Sequence, residues 1–78
     1  MANVTIYTTP TCVYCKMTKE FFNEHNVQYT EKDVAGDAVA REEMVQKSGQ
    51  MGVPVVDIDG ELVVGFDKER LSELLKIV

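Results

Sequence analysis

The sequence predicts an α/β domain with a four-stranded mixed sheet flanked by helices. The chain has 78 residues, a length that suits one domain over residues 1–78. Four short stretches are rich in β-branched residues or alternate apolar with polar ones, and three others carry apolar residues at helical spacing. They follow one another as β-α-β-α-β-β-α, in which a helical crossover makes the first two strands parallel and a hairpin makes the last two antiparallel.

The first half of the chain predicts a strand, a helix and a second strand. The stretch VTIYT at Val4–Thr8 is rich in β-branched residues, and TPT ends it. Apolar residues then recur at helical spacing from residue 12 to about residue 25, with Thr11 as the candidate N-cap. The alternating stretch VQYTEKDV predicts a strand over residues 28–32.

The second half predicts a helix, a hairpin and a last helix. Asp37 can cap a helix that runs to about Lys47, and Gly49 lies just past its end. VPVVDID and ELVV predict two strands, joined by the Asp-Gly pair at 59–60, which is a two-residue hairpin signal. Asp67 can cap the last helix. Its apolar residues follow the i, i+3, i+4, i+7 pattern: Leu71, Leu74, Leu75 and Val78.

Charge and hydropathy exclude several kinds of partner. Lys and Arg number 8 and Asp and Glu number 13, a formal net charge of −5. An acidic domain repels phosphate backbones, so we expect no nucleic-acid partner. The apolar runs are only a few residues long, so we expect no membrane partner, and the start MANVTIYTT is unlike a signal peptide. We therefore expect a cytoplasmic protein in a reducing compartment.

The stretch CVYC follows the first strand and opens the first helix, and Cys12 and Cys15 are the two cysteines of the chain. A disulfide between them closes too short a loop to staple the fold. Free amide N–H groups and the positive end of the helix dipole stabilise a thiolate at such a place. The thiolate is the nucleophile of disulfide exchange. The pattern predicts Cys12, at the helix end, as the exposed attacker and Cys15, one turn in, as the covered resolving thiol.

The alternative chemistry for this motif is metal binding. A zinc site needs four ligands, and a C-x-x-C pair supplies two. The one histidine, His25, lies roughly 15–20 Å away along a helix that rises 1.5 Å per residue, so it cannot complete the site. One chain lacks a complete cysteine and histidine site, but a dimer that shares two pairs could bind zinc or a cluster. We favour redox chemistry, with no metal site.

Two residues outside the pair are candidates for contact with a substrate. Pro54 opens the third strand, which should pair beside the first, so Pro54 should come near Cys12. Because proline has no N–H, it would leave the backbone of Val53 free to pair with an incoming peptide; an ordinary strand-start proline is the alternative. Gly65 allows a ligand to approach the backbone closely, or it is a plain turn glycine.

Other side chains near the pair have both a structural and a functional interpretation. Tyr14 could flank a bound substrate or face the core, and Met17 is expected in the core together with Met44. Lys19, one turn beyond Cys15, is a surface lysine or tunes the thiolate. Asp67 is a helix cap or a ligand contact. Strand VTIYT carries no acidic residue that could take a proton from beneath the pair.

Three stretches, YTTPTCVYCKMTKEFF, GVPVVDIDGE and VVGFDKERLSELL, resemble the glutaredoxin family of the thioredoxin fold over nearly the whole chain. The resemblance implies a dithiol oxidoreductase in which Cys12 is the nucleophile and Cys15 the resolving thiol. It also implies that Pro54 is cis, that the backbone of Val53 pairs with a bound peptide or glutathione, and that Lys19 occupies the family's lysine position.

The chain departs from the family pattern at several positions. Val13 replaces the usual proline of C-P-Y-C, as in NrdH-type redoxins, whereas Tyr14 is the glutaredoxin residue. Gly52 replaces the threonine of Thr-Val-Pro, and Thr9 replaces a basic residue. The acid that helps to hold the glutathione amino end is displaced, and Asp67, one residue earlier, is its nearest substitute.

These departures leave the electron donor open between glutathione and thioredoxin reductase. We expect a monomer that acts on disulfide-containing proteins or glutathione mixed disulfides, with no tightly bound cofactor. The resemblance and the residue patterns together nominate these substrate-binding residues: Thr11, Tyr14, Lys19, Val53, Pro54, Gly65, Phe66 and Asp67.

Overall fold

The computed structural model describes residues 3–76. Within these residues, seven elements follow in the order that the sequence predicts. They are β1 (Val4–Thr8), α1 (Val13–Glu24), β2 (Thr30–Asp33), α2 (Ala38–Ser48), β3 (Val55–Ile58), β4 (Glu61–Val64) and α3 (Lys68–Leu75). None of the helices within the described residues is long and apolar enough to cross a membrane.

The four strands form one mixed sheet in the order β2-β1-β3-β4. β1 pairs with β2 in parallel and with β3 in antiparallel, and β3 pairs with β4 in antiparallel, as predicted. Tyr7 lies opposite Val55, and Val55 lies opposite Val64. The last residues of β1, β2 and β4 and the first of β3 therefore meet at one edge of the sheet, where the cysteine turn begins.

The predicted second strand begins too early. The prediction was residues 28–32, whereas β2 starts at Thr30, where its pairing with Thr5 begins. Beyond α1, Asn26 adopts a left-handed conformation with φ 56°, and the Val27 amide donates to the Phe22 carbonyl at 2.8 Å. The chain is still bonded to the helix there, so it cannot pair with β1 yet.

The core has a cluster on each face of the sheet, because successive strand residues point to opposite sides. Ile6 joins Phe22 and Leu71 against α1 and α3, while Tyr7 joins Met44 against α2. The prediction that Met44 is buried is confirmed. The same prediction for Met17 is wrong, because Met17 remains 40% exposed at the rim of α1.

The predicted caps and hairpin turn of the second half are confirmed. The carboxylate of Asp37 accepts from two amides of α2, and Gly49 ends that helix with φ 72°. Asp59 and Gly60 both have positive φ, 52° and 93°, the conformation that an Asp-Gly hairpin turn requires. Asp67 caps α3. Leu71 is fully buried and Leu74 and Leu75 partly so, while Val78 lies outside the described residues.

Candidate active site

The first turn of α1 is capped by a cysteine sulfur. Cys12 has an extended backbone, φ −89° and ψ 113°, and its Sγ accepts from the Cys15 amide at 3.1 Å. The first amides of a helix have no partner within it, so the sulfur satisfies one of them. The prediction that Thr11 is the N-cap is therefore wrong: Thr11 lies exposed in the preceding turn, and the helix begins one residue later.

The second sulfur is buried directly beneath this turn. Cys15 is 1% exposed, whereas Cys12 is only partly buried, and both are free thiols. Burial, and then the hydrogen bond with Cys12, raise the pKa of Cys15 to about 12, although a backbone hydrogen bond at Thr9 acts in the opposite direction. Cys15 therefore holds its proton at neutral pH, and Cys12 is the sulfur that an external reagent can reach.

A cleft of about 380 Å³ adjoins Cys12 on the side of β2. On its wall, Glu31 accepts at 2.8 Å from the Lys19 ammonium and at 2.8 Å from the hydroxyl of buried Thr8. The bond from Lys19 is the largest cause that lowers the pKa of Glu31, and the bond from Thr8 lowers it further. The bond between Lys19 and Glu31 also raises the pKa of Lys19. The cleft is lined by Thr8, Thr9, Pro10, Cys12, Lys16, Lys19, Glu31 and Asp33.

Glu31 was not predicted as a site residue. It comes from β2, where it lies opposite Ile6, and the predicted parallel pairing of β2 with β1 was the signal that places this strand beside the cysteine turn. Lys19 combines features of its two interpretations, a surface lysine and a group that acts on the cysteine pair. It is ion-paired at the surface with Glu31, and its charge also acts to lower the pKa of Cys15, by less than burial raises it.

On the other side of the cysteine turn, the segment before β3 meets the segment after β4. The Val53–Pro54 peptide bond is cis, as the resemblance implies. The Gly65 amide donates to the Pro54 carbonyl at 2.7 Å, and Gly65 has φ 81°, a conformation that favours glycine. Within residues 3–76, the backbone N–H and C=O of Val53 make no hydrogen bond. Its polar groups are therefore available to a ligand.

The remaining predicted residues surround this edge. Tyr14 is 61% exposed, which excludes the interpretation that it faces the core. Phe66 is partly buried and packs edge to face on Phe21, with ring centroids 6.1 Å apart. Asp67 is exposed, and its Oδ1 accepts from the Arg70 amide at 3.1 Å, so one of its carboxylate oxygens serves the helix. His25 is exposed near the other end of α1.

Within residues 3–76, no three side chains among His, Cys, Asp and Glu converge on a point that could hold a metal ion. The site instead combines a covered thiol, a reachable sulfur at a helix start, and a neighbouring strand start with unbonded backbone groups. On the mixed sheet described above, these features define a redox protein of the thioredoxin fold with a Cys12–Cys15 pair.

Comparison with known proteins identifies the family. The glutaredoxin family model matches residues 4–63. The chain belongs to the glutaredoxin family, whose members are thiol-disulfide oxidoreductases.

Individual relatives agree with this assignment. The chain is 45% identical over 73 residues to a glutaredoxin-like 8.6 kDa protein of the rubredoxin operon of Clostridium pasteurianum, covering 94% of this chain and 97% of that one. It is 42% identical over 67 residues to glutaredoxin 3 of Escherichia coli, covering 86% and 81%. A crystal structure of a mutant of the thioredoxin-like protein BC3987 superposes with a TM-score of 0.93 at 41% identity, covering 100% of both chains.

Proposed function

We propose that this protein reduces disulfides of proteins or glutathione mixed disulfides by a two-step exchange. The Cys12 thiolate attacks one substrate sulfur, forms a mixed disulfide and releases the other sulfur as a thiolate. Cys15 then loses its proton and attacks Cys12, which releases the reduced substrate and leaves a Cys12–Cys15 disulfide. Two electrons pass from the cysteine pair to the substrate. The contrast in burial between the two sulfurs carries this proposal.

The second step requires Cys15 to lose its proton, and the raised pKa of Cys15 opposes this loss before the substrate is bound. Part of that rise comes from the hydrogen bond and the charge of neighbouring Cys12. Once Cys12 is bonded to the substrate, its sulfur is neutral and that part is removed. The positive charge of Lys19 then favours the Cys15 thiolate with less opposition. Mixed-disulfide formation thus lowers the pKa of Cys15 in the direction that its attack requires, although burial, the largest cause of the rise, remains.

The substrate contacts that we propose lie along the same edge. The unbonded backbone of Val53 pairs with the main chain of a bound peptide or glutathione. Gly65, whose amide bonds to the Pro54 carbonyl, and the adjacent Phe66 let the bound chain approach closely, and exposed Tyr14 flanks it. The second carboxylate oxygen of Asp67 is left to accept from an amino group of the substrate.

The electron donor is glutathione or thioredoxin reductase, and the protein acts as a cytoplasmic monomer without a tightly bound cofactor. The lost basic residue at Thr9 and the shifted acid at Asp67 weaken the glutathione option, while Tyr14 is the residue of the glutaredoxin pattern and favours it. Both donors restore the dithiol by delivering two electrons to the Cys12–Cys15 bond.

One experiment decides between them. The oxidised protein is given NADPH with either glutathione and glutathione reductase or thioredoxin reductase alone, and NADPH consumption is followed in the presence of a protein disulfide. The system that fails to regenerate the dithiol is excluded.

Cysteine variants test the exchange itself. Cys15→Ser should accumulate a covalent complex with a disulfide substrate, visible by intact mass, because nothing resolves it. Cys12→Ser should form none. If Cys15→Ser traps no substrate and neither donor system supports turnover, the proposed function is wrong.

A further inference from the structure

The segment between α2 and the Val53–Pro54 bond is held by one side chain, the amide of Gln50. Its Oε1 accepts from the Gly52 amide, and its Nε2 donates to the Gly52 carbonyl at 3.1 Å. Both backbone polar groups of Gly52 are therefore bonded to the same side chain. The Gln50 amide bonds to the N–H and the C=O of Gly52 in the way that the backbone of a paired strand would.

Gln50 is itself tied to the end of α2. Its Nε2 also donates to the Ser48 hydroxyl at 3.3 Å. That hydroxyl oxygen lies 2.7 Å from the Met44 carbonyl oxygen and 3.0 Å from the Gln50 carbonyl oxygen. Gly49, between them, ends the helix in a left-handed conformation. The position of Gly52 is thus connected to a helix whose Met44 is fully buried.

The absence of a side chain at position 52 fits this arrangement. A Cβ on Gly52 would lie 2.7 Å from Gln50 Oε1, closer than such atoms approach. A side chain at position 52 would therefore push the flexible end of Gln50 away from the Gly52 backbone. Glycine in place of the usual threonine fits this contact, because the side chain two residues earlier, Gln50, bonds to the backbone of residue 52.

We propose that Gln50 is a positioning residue that selects peptide disulfides over small disulfides. By fixing both backbone groups of Gly52, it presents the next residue, Val53, with its N–H and C=O free and in place. A peptide bonds to these groups through its main chain, whereas a small disulfide without peptide groups cannot. The inference rests on the proposed function, since it assumes that Val53 receives the substrate.

The test uses the pre-reduced protein in single turnover with two probes. One is the peptide Ala-Ala-Cys-Ala-Ala joined through its cysteine to thionitrobenzoate, and the other is mercaptoethanol joined to the same group. Attack by Cys12 on either probe forms a mixed disulfide and releases coloured thionitrobenzoate. The observed rate against probe concentration gives an apparent Kd and a limiting rate.

Gln50→Ala should raise the apparent Kd for the peptide probe roughly three- to tenfold, the range of one or two lost hydrogen bonds. Its limiting rate and its reaction with the mercaptoethanol probe should equal those of the wild type, and an unchanged urea midpoint shows that the variant is folded. Gln46→Ala is the matched control, since Gln46 is exposed on α2. Equal behaviour of Gln50→Ala and Gln46→Ala, or an equal loss on both probes, would overturn the inference.

A double-mutant cycle with Gly52→Ala tests the contact itself. Gly52→Ala alone should weaken the peptide probe, because its methyl group displaces the Gln50 amide. Added to Gln50→Ala, it should not raise the apparent Kd for the peptide probe any further. Additive losses would contradict the contact between Gln50 and Gly52. If the wild type releases thionitrobenzoate from neither probe, the proposed function fails. If the wild type reacts but Gln50→Ala binds the peptide equally well, only the inference about Gln50 fails.

Discussion

At the scale of single residues, the two sulfurs differ because a helix turn separates them. Cys12 precedes the helix and takes an amide hydrogen bond, whereas Cys15 points into the core. The bond to Cys12 comes from the backbone amide of Cys15, so replacing the Cys15 side chain leaves it in place. The reactivity of each sulfur can therefore be measured in the absence of the other.

Alkylation should separate the two thiols. Cys15→Ser should react with iodoacetamide at neutral pH within about twofold of the wild-type rate, because Cys12 keeps its exposure and its hydrogen bond. Cys12→Ser should react at least about tenfold more slowly, because the remaining thiol is buried and protonated. Mass spectrometry of timed samples gives both rates. Faster labelling of Cys15 than of Cys12 would reverse the assignment of attacker and resolving thiol.

Asp67 is the residue at which capping and substrate binding can be separated. Asparagine caps a helix as well as aspartate does, so Asp67→Asn should keep the thermal stability, while Asp67→Ala should lose about 1 kcal/mol. If the free oxygen of Asp67 receives an amino group, Asp67→Asn should also raise the apparent Kd for glutathione disulfide roughly three- to tenfold. Glu69→Gln, which removes a neighbouring charge, is the control, and equal Kd values for the two variants would leave Asp67 as a cap alone.

At the scale of elements, α2 packs on the sheet with little apolar surface and is held partly by polar contacts. Apart from Ala40 and Met44, its side chains are exposed or only partly buried. The buried Tyr7 of β1 donates its hydroxyl to Glu43, which also pairs with Lys32 at 2.8 Å. Lys47 pairs with Asp57 of β3 at 3.0 Å. These contacts explain how a helix without a clear apolar stripe keeps its place.

Removing the Tyr7 hydroxyl should weaken this attachment. Tyr7→Phe keeps the ring in the core but loses the hydrogen bond to Glu43, so we expect it to lower the free energy of unfolding by about 0.5–1.5 kcal/mol. Urea denaturation measures the loss. Tyr29→Phe is the control, because Tyr29 is only partly buried. A Tyr7→Phe variant as stable as the Tyr29→Phe variant would show that the hydroxyl bond contributes nothing.

At the scale of the whole molecule, the sheet topology assembles the site. The turn after β1, the end of β2, the start of β3 and the end of β4 come from distant parts of the chain and meet at one edge. Cys15 lies under this edge against the core, so its protonation is linked to the stability of the whole fold. Reactivity and stability are therefore connected through one buried thiol.

This linkage predicts a loss of stability at alkaline pH. The pKa of Cys15 rises from an ordinary value of 9.0 to about 12 in the folded protein. Above about pH 9 the unfolded chain loses this proton while the folded protein retains it, so the stabilisation that is complete below pH 9 declines as pH rises towards 12. Relative to Cys15→Ala, the wild type should lose up to about 1.4 kcal/mol per pH unit in that window. Urea titrations under reducing conditions check this, and parallel pH curves for the two proteins would contradict it.

Much of the fold and the centre of the site could be predicted because their causes are local. The bounds of β1 and β4, the caps Asp37 and Asp67, and the Asp-Gly turn follow from strand preference and turn chemistry within a few residues. The spacing of the two cysteines on a strand-to-helix turn also predicts which of them is covered. The exposure of Met17 and the start of β2 could not be predicted, because they depend on what packs or pairs opposite.

The sequence by itself thus determined the order of the elements, the topology of the sheet and the asymmetry of the cysteine pair. Only the tertiary structure decided that Cys12 rather than Thr11 caps α1, that Glu31 reaches Lys19 beside the reactive sulfur, and that Gln50 holds Gly52. Each of these depends on distances of a few ångströms between side chains and backbone groups. Periodicity and spacing identify which face or edge a residue occupies, but hydrogen bonds form only where packing of the whole chain brings two particular atoms into contact.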